Sequence, residues 1–281
     1  MRHNSQVIKQ VIRMRNEGLT LGEIVSKTGL SKTTIFHHIK ALPKSSILVN
    51  KLRAISVATQ KVVADQRRGK SVKSYTFLKP EKWSPDFVNL IAHFNFDGDV
   101  RHTSSNYNNR NQALIEKVKN NMKGVLNVDD FKIYKDIRTE VYKLCYFHVE
   151  LAAFVKQKSQ DLFNYINSAS SEEKQSFLQA FFDDEGCVTF ENKKRVVRGY
   201  QHSLRILKIV QRLLQEFGIE SRISEKYFEV TISRKSNLLK FQQCINFTPG
   251  VCVNGNRANS IWKKPLEKRE ILKQALDSYT T

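Results

Sequence analysis

Apolar positions near the N-terminus recur at helical spacing and predict three short helices. The first helix covers about 5–16. The second opens with a capping box, in which Thr20 is followed by Glu23, and it ends at Gly29. Ser31 is a residue type that caps helix N-termini, and it begins the third helix. A tight turn that contains glycine therefore joins the second and third helices.

The later part of the chain shows one hydrophobic pattern twice. Residues 90–100, LIAHFNFDGDV, and residues 178–188, LQAFFDDEGCV, each read as an apolar helix, an acid in its last turn, a glycine and a strand-like segment. Each segment continues with a second strand, a helix, two strands and a helix. Both helices begin with residues that cap a helix N-terminus, namely Ser84 with Pro85 and Ser170 with Glu173. The pattern predicts an α+β fold of two α-β-β-α-β-β-α repeats behind an all-α N-terminal domain.

Composition indicates the kind of partner that the protein binds. The chain has 281 residues, with 47 Lys+Arg against 27 Asp+Glu, a formal charge of +20 and a pI near 9.8. Such an excess of positive charge is typical of a protein that binds a polyanion, and nucleic acid is the expected partner. A hydrophobic content of 40% is ordinary for folded domains, so a disordered basic tail is excluded.

Cysteine spacing and hydropathy indicate the compartment. Four cysteines, Cys145, Cys187, Cys244 and Cys252, show neither a CxxC pair nor the Cys/His spacing of a zinc site, and they are interpreted as reduced thiols in apolar segments. The N-terminal residues show no signal stretch, and no apolar run approaches the length of a membrane span. We therefore expect a cytoplasmic protein that is associated with the nucleoid through DNA and does not bind a membrane.

The three N-terminal helices resemble a helix-turn-helix, in which the start of the last helix enters the major groove of DNA. Four residues would then face the DNA: Lys32, Thr33, Thr34 and His37. A small helical module that binds another protein is the alternative interpretation. An amphipathic helix is predicted from Leu52 to Asp65, and the basic run QRRGKSVKSY after it is interpreted as a linker along the phosphate backbone.

The acids at the ends of the two apolar helices need an explanation. Asp183, Asp184 and Glu185 lie where the partial negative charge of a helix C-terminus disfavours carboxylates, by about 0.3 to 1 kcal/mol each when exposed. Asp97 ends the first apolar helix in the same way. A solvent-exposed helix end that is closed by glycine would explain either acid alone. Two such acids in matched repeats instead indicate a shared site.

Between about 84 and 247, the doubled pattern resembles the double-motif LAGLIDADG homing endonucleases. The eighth position of the family's motif is a metal-binding acid, which here is Asp97 in the first motif and Glu185 in the second. The resemblance implies that the two motif helices pack side by side and that their acids bind Mg²⁺ or Mn²⁺ beneath the middle of double-stranded DNA. It also implies that the sheets of the two repeats form a saddle over the major groove.

The family further places a basic residue near each scissile phosphate, and Arg222 and Lys132 are the candidates for this catalytic role. Alternation along the strands of the second repeat puts Arg222, Thr231 and Ser233 on the face that would contact DNA. Near the C-terminus, the candidates for phosphate contact are Arg257, Lys263 and Lys264. A solvated basic face is the alternative for that last group.

Three motif residues depart from the family pattern. His93 replaces an apolar residue and is predicted to be a hydrogen-bonded histidine in the helix interface. Phe96 and Asp184 occupy the seventh position, which is usually small. Because that position does not supply the metal ligand, Asp184 is predicted to be dispensable for cleavage.

The sequence thus predicts a site-specific, metal-dependent endonuclease that acts on DNA as a monomer, since one chain carries both repeats. The predicted divisions are a helix-turn-helix domain (1–45), a basic helix and linker (46–83), a first repeat (84–160), a second repeat (161–250) and a basic C-terminal extension (251–281). Two other functions stay open: a DNA-binding transcription regulator that does not cleave, and an RNA intron maturase. The two motif acids favour the endonuclease, whereas the departures in the first motif favour the regulator.

Overall fold

The computed structural model describes residues 5–67, 76–192, 194–253 and 262–279. The chain forms two compact units, residues 1–74 and residues 75–281. The described part of the first unit consists of the helices α1 (Ser5–Asn16), α2 (Leu21–Thr28), α3 (Lys32–Ile39) and α4 (Ser46–Arg67). Nowhere in the described residues does a helix have the length and apolar character needed to cross a membrane.

The first three helices begin and end where the sequence predicts. The N–H of Thr20 donates to Oε2 of Glu23 at 2.8 Å, and Oγ1 of Thr20 accepts from the N–H of Glu23 at 3.4 Å, which completes the capping box. Gly29 follows α2 with a φ of 65°, a left-handed conformation that glycine adopts without strain. Ser31 caps α3 by accepting from the N–H of Thr34 at 3.1 Å. The core of these helices contains Val11, Ile24, Ile35 and Ile39.

Helix α4 is longer than the predicted span from Leu52 to Asp65. The side chain of Ser45 accepts from the N–H of Leu48 at 3.3 Å, so the helix starts at Ser46. Leu48 is fully buried and fixes this first turn. The early turn escaped prediction because the polar residues around Pro43 have the composition of a linker.

The second unit uses one element order twice. Its first half contains α5 (Pro85–Phe96), β1 (Gly98–Val100), β2 (Ser105–Asn109), α6 (Gln112–Leu126), β3 (Lys132–Lys135), β4 (Tyr142–Tyr146) and α7 (Val149–Tyr165). Its second half contains α8 (Ser171–Glu185), β5 (Gly186–Glu191), β6 (Lys194–Tyr200), α9 (Leu204–Glu216), β7 (Ser221–Ser224), β8 (Glu229–Ile232) and α10 (Lys235–Cys244). The predicted α+β fold is confirmed.

Each half forms a four-stranded antiparallel sheet, with strand order β1-β2-β4-β3 in the first and β5-β6-β8-β7 in the second. The register also corresponds. Gly98, the first residue of β1, pairs with Tyr107, and Gly186, the first residue of β5, pairs with Gly199. Residues at equal distances from these glycines therefore occupy equivalent places in the two sheets.

Helices α5 and α8 pack against each other at the centre of the second unit. Ala92 and Ala180 are both fully buried, and their small side chains allow the two backbones to approach closely. Phe96 packs edge-on against Phe177 and Phe181, with ring centroids 5.6 and 5.3 Å apart. The large seventh residue of the first motif is thus accommodated as an aromatic contact at the helix interface.

Strand β8 is shorter than the sequence pattern suggests and ends at Ile232. Ser233 is exposed and lies beyond the strand, where its carbonyl accepts from Nδ2 of Asn237 at 3.1 Å. Arg234 has a φ of 71°, a conformation that ends the extended backbone and precedes α10. The predicted alternation of side chains therefore ends at Ile232 and does not include Ser233.

The C-terminal segment belongs to the core of the second unit. Helix α11 (Lys268–Asp277) packs against β5, β6 and α10. Its buried face consists of Ile271, Leu272, Ala275 and Leu276. An antiparallel bridge between Cys252 and Glu267 ties the start of the helix to the segment after α10. The predicted basic extension therefore contains an amphipathic helix that is an integral part of this unit.

All four cysteines are free thiols, as predicted. Cys145 is buried in β4, and the other three are partly buried. Burial raises the pKa of the Cys145 thiol and that of the Cys252 thiol, so both stay protonated at neutral pH.

Candidate functional site

The C-terminal ends of α5 and α8 open into one cleft. Asp97 follows the last residue of α5, and Glu185 is the last residue of α8. Both acids line an open cleft of about 930 Å³, together with residues of β2, β5 and β6. The two acids that the sequence singled out therefore lie in the same cleft.

A glycine after each acid makes this geometry possible. A Cβ atom on Gly98 would overlap the backbone of Phe94, and a Cβ on Gly186 would overlap the backbone of Phe182 in the same way. In both places the chain turns from the helix directly into the first strand of a sheet. The glycine lies so close to the preceding helix turn that a side chain does not fit there. The acid before each glycine is thereby held at the helix end that faces the cleft.

In the described part of the chain, neither Asp97 nor Glu185 forms an ion pair, and the charge of Lys268 lowers their pKa values less than burial raises them. Burial raises the pKa of Asp97 to about 7, and the charge of Asp184 adds to this shift. Burial also raises the pKa of Glu185 to about 8, with further contributions from the charges of Asp97 and Asp184. Carboxylates that are costly to ionise in this way are stabilised by a bound cation.

The chemistry of this donor set fits Mg²⁺ or Mn²⁺, which are hard cations that prefer oxygen ligands and accept one or two protein carboxylates beside phosphate oxygens and water. In the described residues no cluster of three or more His, Cys, Asp or Glu side chains has the arrangement of a complete metal site. A metal held by Asp97 and Glu185 would have positions left for phosphate oxygens and water.

Each acid accepts a hydrogen bond from a side-chain amide. Nδ2 of Asn109 donates to Oδ2 of Asp97 at 2.7 Å, and Nε2 of Gln201 donates to Oε1 of Glu185 at 3.3 Å. Asn109 and Gln201 correspond in the two halves, because each lies two residues after the strand residue that pairs with the motif glycine. Sequence reasoning missed both amides, since only the strand register identifies them as equivalent.

Asp184 lies in a buried network between the two motif helices. Its Oδ2 is 2.8 Å from Nδ1 of His93, and its Oδ1 accepts from the hydroxyl of Tyr107 at 2.5 Å. Nδ2 of Asn109 lies 3.3 Å from the same Oδ1, so Asn109 joins Asp184 to Asp97. The predicted hydrogen-bonded histidine at the interface is confirmed. The side chain of Asp184 is fully buried in this network, so a substitution there would disturb the helix interface as well. Its dispensability for cleavage stays a prediction.

Protonation of the network follows from burial. Burial lowers the pKa of His93 to about 3, so the imidazole is neutral at pH 7. Burial also holds the pKa of Asp184 well above its usual range, against the hydrogen bond from Tyr107. The contact between His93 and Asp184 is therefore a hydrogen bond of a neutral imidazole, and it does not join two opposite charges.

The remaining acid of the second motif has a structural partner. Asp183 accepts from the N–H of Thr248 at 2.8 Å and from its hydroxyl at 2.5 Å. Nζ of Lys117, from α6 in the first half, donates to the same hydroxyl oxygen at 2.7 Å and to Oε1 of Gln179 at 2.9 Å. Nζ of Lys117 also lies 3.4 Å from Oδ2 of Asp183, so Asp183 joins the two halves of the unit. All three consecutive acids border the cleft, but the side chains of Asp183 and Asp184 are fully buried and held by these partners, which leaves Glu185 as the candidate ligand.

Lys268 is a further residue that sequence reasoning missed. Its ammonium group donates to the carbonyl oxygens of Phe182 and Asp183, at 3.2 and 2.7 Å, in the last turn of α8. The residue is only 5% exposed and lines the inner part of the cleft. Nothing in the local sequence around Lys268 distinguishes it from the other basic residues near the C-terminus.

The candidate basic residues of the sheets lie outside the cleft lining. Lys132 pairs with Cys145 in the first sheet, and Arg222 pairs with Thr231 in the second, so Lys132 and Arg222 occupy equivalent register positions. Both side chains are exposed. Arg198 is the partner of Thr231 on its other side, and it is Arg198 that lines the cleft.

The other predicted DNA contacts are distributed over both units. Lys32, Thr33 and His37 are exposed on α3. Thr34 is half-buried, its hydroxyl lies 2.7 Å from the Ser31 hydroxyl at the start of α3, and its contact with DNA stays a prediction. Near the C-terminus, Lys263 and Lys264 are exposed, and Arg257 lies outside the described residues.

Comparison with solved structures gives two groups of similar folds. The homing endonuclease I-DmoI in complex with DNA and Mn is 16% identical, with a TM-score of 0.44 over 57% of this chain and 96% of that chain. The N-terminal LAGLIDADG domain of DUF199/WhiA is 17% identical, with a TM-score of 0.45 over 59% of this chain and 86% of that chain. Full-length DUF199/WhiA from Thermatoga maritima is 14% identical, with a TM-score of 0.44 over 72% of this chain and 63% of that chain.

No curated protein matches the chain. A family model does match one part of it, which contains α8 with its terminal acid, the second sheet and α10. Over residues 172–246 the chain matches the LAGLIDADG-like domain.

Proposed function

We propose that this protein is a site-specific endonuclease that uses a divalent metal to cut both strands of DNA. One observation carries the proposal: Asp97 and Glu185 end two equivalent helices in a single cleft, and burial raises the pKa of each. A purely structural role does not require two carboxylates that are costly to ionise in one cleft. A metal site between two strands of DNA does require them.

In the proposed mechanism, Asp97 and Glu185 would hold Mg²⁺ or Mn²⁺, which would supply a water of lowered pKa and stabilise the charge on the phosphate. Asn109 and Gln201 orient the two carboxylates through the hydrogen bonds that they donate. Because the two carboxylates come from different halves of the unit, each half serves one DNA strand.

The exposed faces of the sheets supply the proposed DNA contacts. Arg222 and Thr231 lie side by side on one face of the second sheet, and Lys132 holds the equivalent register position in the first. We further propose that α2 and α3 act as a helix-turn-helix, with Lys32, Thr33 and His37 facing the major groove. The formal charge of +20 supports a polyanionic partner for these surfaces.

The test begins with selection from a randomised duplex library, with Mg²⁺ and with a chelator, scored for both binding and cut ends. On the selected site, Asp97→Asn and Glu185→Gln should each abolish double-strand cleavage, because the amide removes the charge that holds the metal. DNA affinity should be retained or increased, because the repulsion between carboxylate and phosphate is lost.

Two variants on the same helices provide matched controls. Asp86→Asn and Glu172→Gln make the same chemical changes at the exposed N-terminal ends of α5 and α8. Both should cut at close to the wild-type rate. Wild-type protein that binds its selected site but leaves it intact with Mg²⁺ and with Mn²⁺ would refute the endonuclease.

A DNA-binding regulator without cleavage is the second candidate, and the raised pKa of Glu185 favours it. With a pKa of about 8, Glu185 is largely protonated at neutral pH in the metal-free protein. A neutral side chain at this place lets a phosphate approach with no metal. The library selection separates the two candidates, since the regulator binds a defined site in chelator and produces no cut ends.

A further inference from the structure

The first unit contains one large aromatic side chain, and this side chain lies on the surface. Phe36 is the only phenylalanine, tyrosine or tryptophan in residues 1–74, and it is 55% exposed. The buried core of α1, α2 and α3 is aliphatic and includes Ile35, the neighbour of Phe36 in the sequence. The unit therefore leaves in water the side chain that has the largest apolar area to bury.

The periodicity of α3 assigns Phe36 to a particular surface. Residues three or four apart are neighbours on a helix, so Phe36 lies beside Lys32, Thr33 and Lys40. Lys40 directly follows the helix and keeps helical backbone angles. All three neighbours are exposed, whereas the opposite face of the helix is buried in the core. An aromatic ring, a hydroxyl group and two ammonium groups therefore share one face that is open to solvent.

The charge of this part of the chain indicates the kind of partner. Residues 24–64 contain seven Lys and Arg and no Asp or Glu. A surface that bound only an apolar protein segment would not need such an excess of one charge, whereas DNA presents phosphates beside the edges of its bases. The apolar group that DNA exposes in its major groove is the 5-methyl group of thymine, and a phenylalanine side chain packs well against it. DNA thus matches both the charge and the apolar character of this face.

We infer that Phe36 is a specificity-determining residue, whose ring contacts the 5-methyl group of a thymine in the major groove while Lys32 and Lys40 contact phosphates. The inference rests on the proposed function, since it concerns the helix that is proposed to enter the major groove. Among the four bases only thymine carries a methyl group on this edge. Phe36 therefore selects thymine at one position in the flank of the DNA site.

The test replaces each thymine of the selected site, one at a time, by deoxyuridine, which lacks only the 5-methyl group. Binding is measured in chelator by fluorescence anisotropy with the full chain, as wild type and as Phe36→Ala. At a thymine in the flank that residues 1–74 protect, deoxyuridine should weaken wild-type binding about fourfold, as expected for one buried methyl group. Phe36→Ala should bind the thymine and deoxyuridine forms of this position equally.

Val57→Ala is the matched control, because it truncates another exposed apolar side chain of the first unit, on α4. It should respond to deoxyuridine as wild type does at every position. Thymines outside the flank provide a control on the DNA, since wild type and Phe36→Ala should respond alike there.

Each other outcome has one meaning. If wild type and Phe36→Ala respond alike at every thymine, or if the footprint is unchanged without residues 1–74, the inference is wrong and the proposed endonuclease stands. If Phe36→Ala does not fold, the inference is also wrong, because a side chain that the fold requires is not free to contact DNA.

The same DNA separates this inference from the proposed cleavage. A deoxyuridine effect that depends on Phe36, together with no cut ends in Mg²⁺ or Mn²⁺, would support the inference and refute the endonuclease. A protein that selects no DNA site at all would refute both.

Discussion

At the scale of single residues, three consecutive acids of one helix end have three different roles. Asp183 is bound by Thr248 and by Lys117 of the first half, so it joins the halves of the unit. Asp184 accepts from the hydroxyl of Tyr107 and is hydrogen-bonded to His93 in a buried network. Glu185 alone of the three is a candidate metal ligand. Adjacent residues on a helix point about 100° apart, so each acid meets a different neighbour.

The raised pKa values predict how the metal-free protein responds to pH. The pKa values of Asp97 and Glu185 are about 7 and about 8 when folded, against ordinary values of 3.8 and 4.5. These two carboxylates therefore bind protons more tightly in the folded state than in the unfolded state, and the stability that they contribute falls as pH rises from their ordinary pKa values to about 8. Glu185→Gln removes its part of this effect and should give a shallower decline.

Urea unfolding in chelator at a series of pH values measures this directly. Added Mn²⁺ should also reduce the decline in wild type, because the metal stabilises the ionised carboxylates. A Glu185→Gln protein that loses stability with pH as steeply as wild type would contradict the raised pKa of Glu185.

At the scale of elements, the junction between a motif helix and its strand determines where the acid lies. Gly98 and Gly186 pass so close to the preceding helix turn that a methyl group would overlap backbone atoms. Backbone cannot move aside as a flexible side chain can. The same local requirement in both halves explains why each acid is followed by glycine.

A glycine substitution tests the junction. Gly186→Ala should lower the free energy of unfolding by roughly 1–3 kcal/mol or more, because the added methyl group displaces the start of β5 from α8. Thermal and urea unfolding measure the loss, and Mn²⁺ binding should weaken with it. Gly124→Ala is the control: Gly124 lies within α6, and a Cβ there meets no atom within 4 Å. That change should stabilise the protein by about 0.5–1 kcal/mol, and equal effects at both sites would refute the close approach.

At the scale of the whole molecule, the chain combines two compact units with different proposed tasks. The second unit carries both candidate metal ligands, since α5 and α8 belong to the same unit. The first unit carries the exposed candidates Lys32, Thr33 and His37 for DNA contact. Both acids in one unit support the proposal that a monomer acts on an asymmetric site.

Removal of the first unit tests this division of tasks. Deleting residues 1–74 should shorten the DNA footprint on one side of the selected site and leave metal-dependent cleavage in the second unit. Footprinting with and without the deletion locates the lost contacts, and sedimentation measures the oligomeric state. Loss of the entire footprint, or a stable dimer of the full chain, would contradict the proposed monomer with a separate flanking contact.

The sequence by itself determined the element order and the helix boundaries that depend on local caps. Thr20, Ser31, Ser84 and Ser170 each cap the predicted helix, because a cap involves only residues within one turn. The doubled pattern of an apolar helix, an acid and a glycine also predicted that Asp97 and Glu185 are equivalent. This equivalence can be read from the repeated pattern alone, because it does not depend on which distant residues are in contact.

Only the tertiary structure decided which other groups meet these acids. Asn109 and Gln201 become equivalent through the strand register, and Lys268 reaches α8 from a helix more than eighty residues further along the chain. Asp184 meets Tyr107 because α5, β2 and α8 pack together. Such contacts depend on the register and packing of distant segments, and the same short sequences would form the same local elements without them. The physical reason is range: caps and periodicity act within a few residues, whereas the electrostatics of a buried site sum over every segment that packs around it.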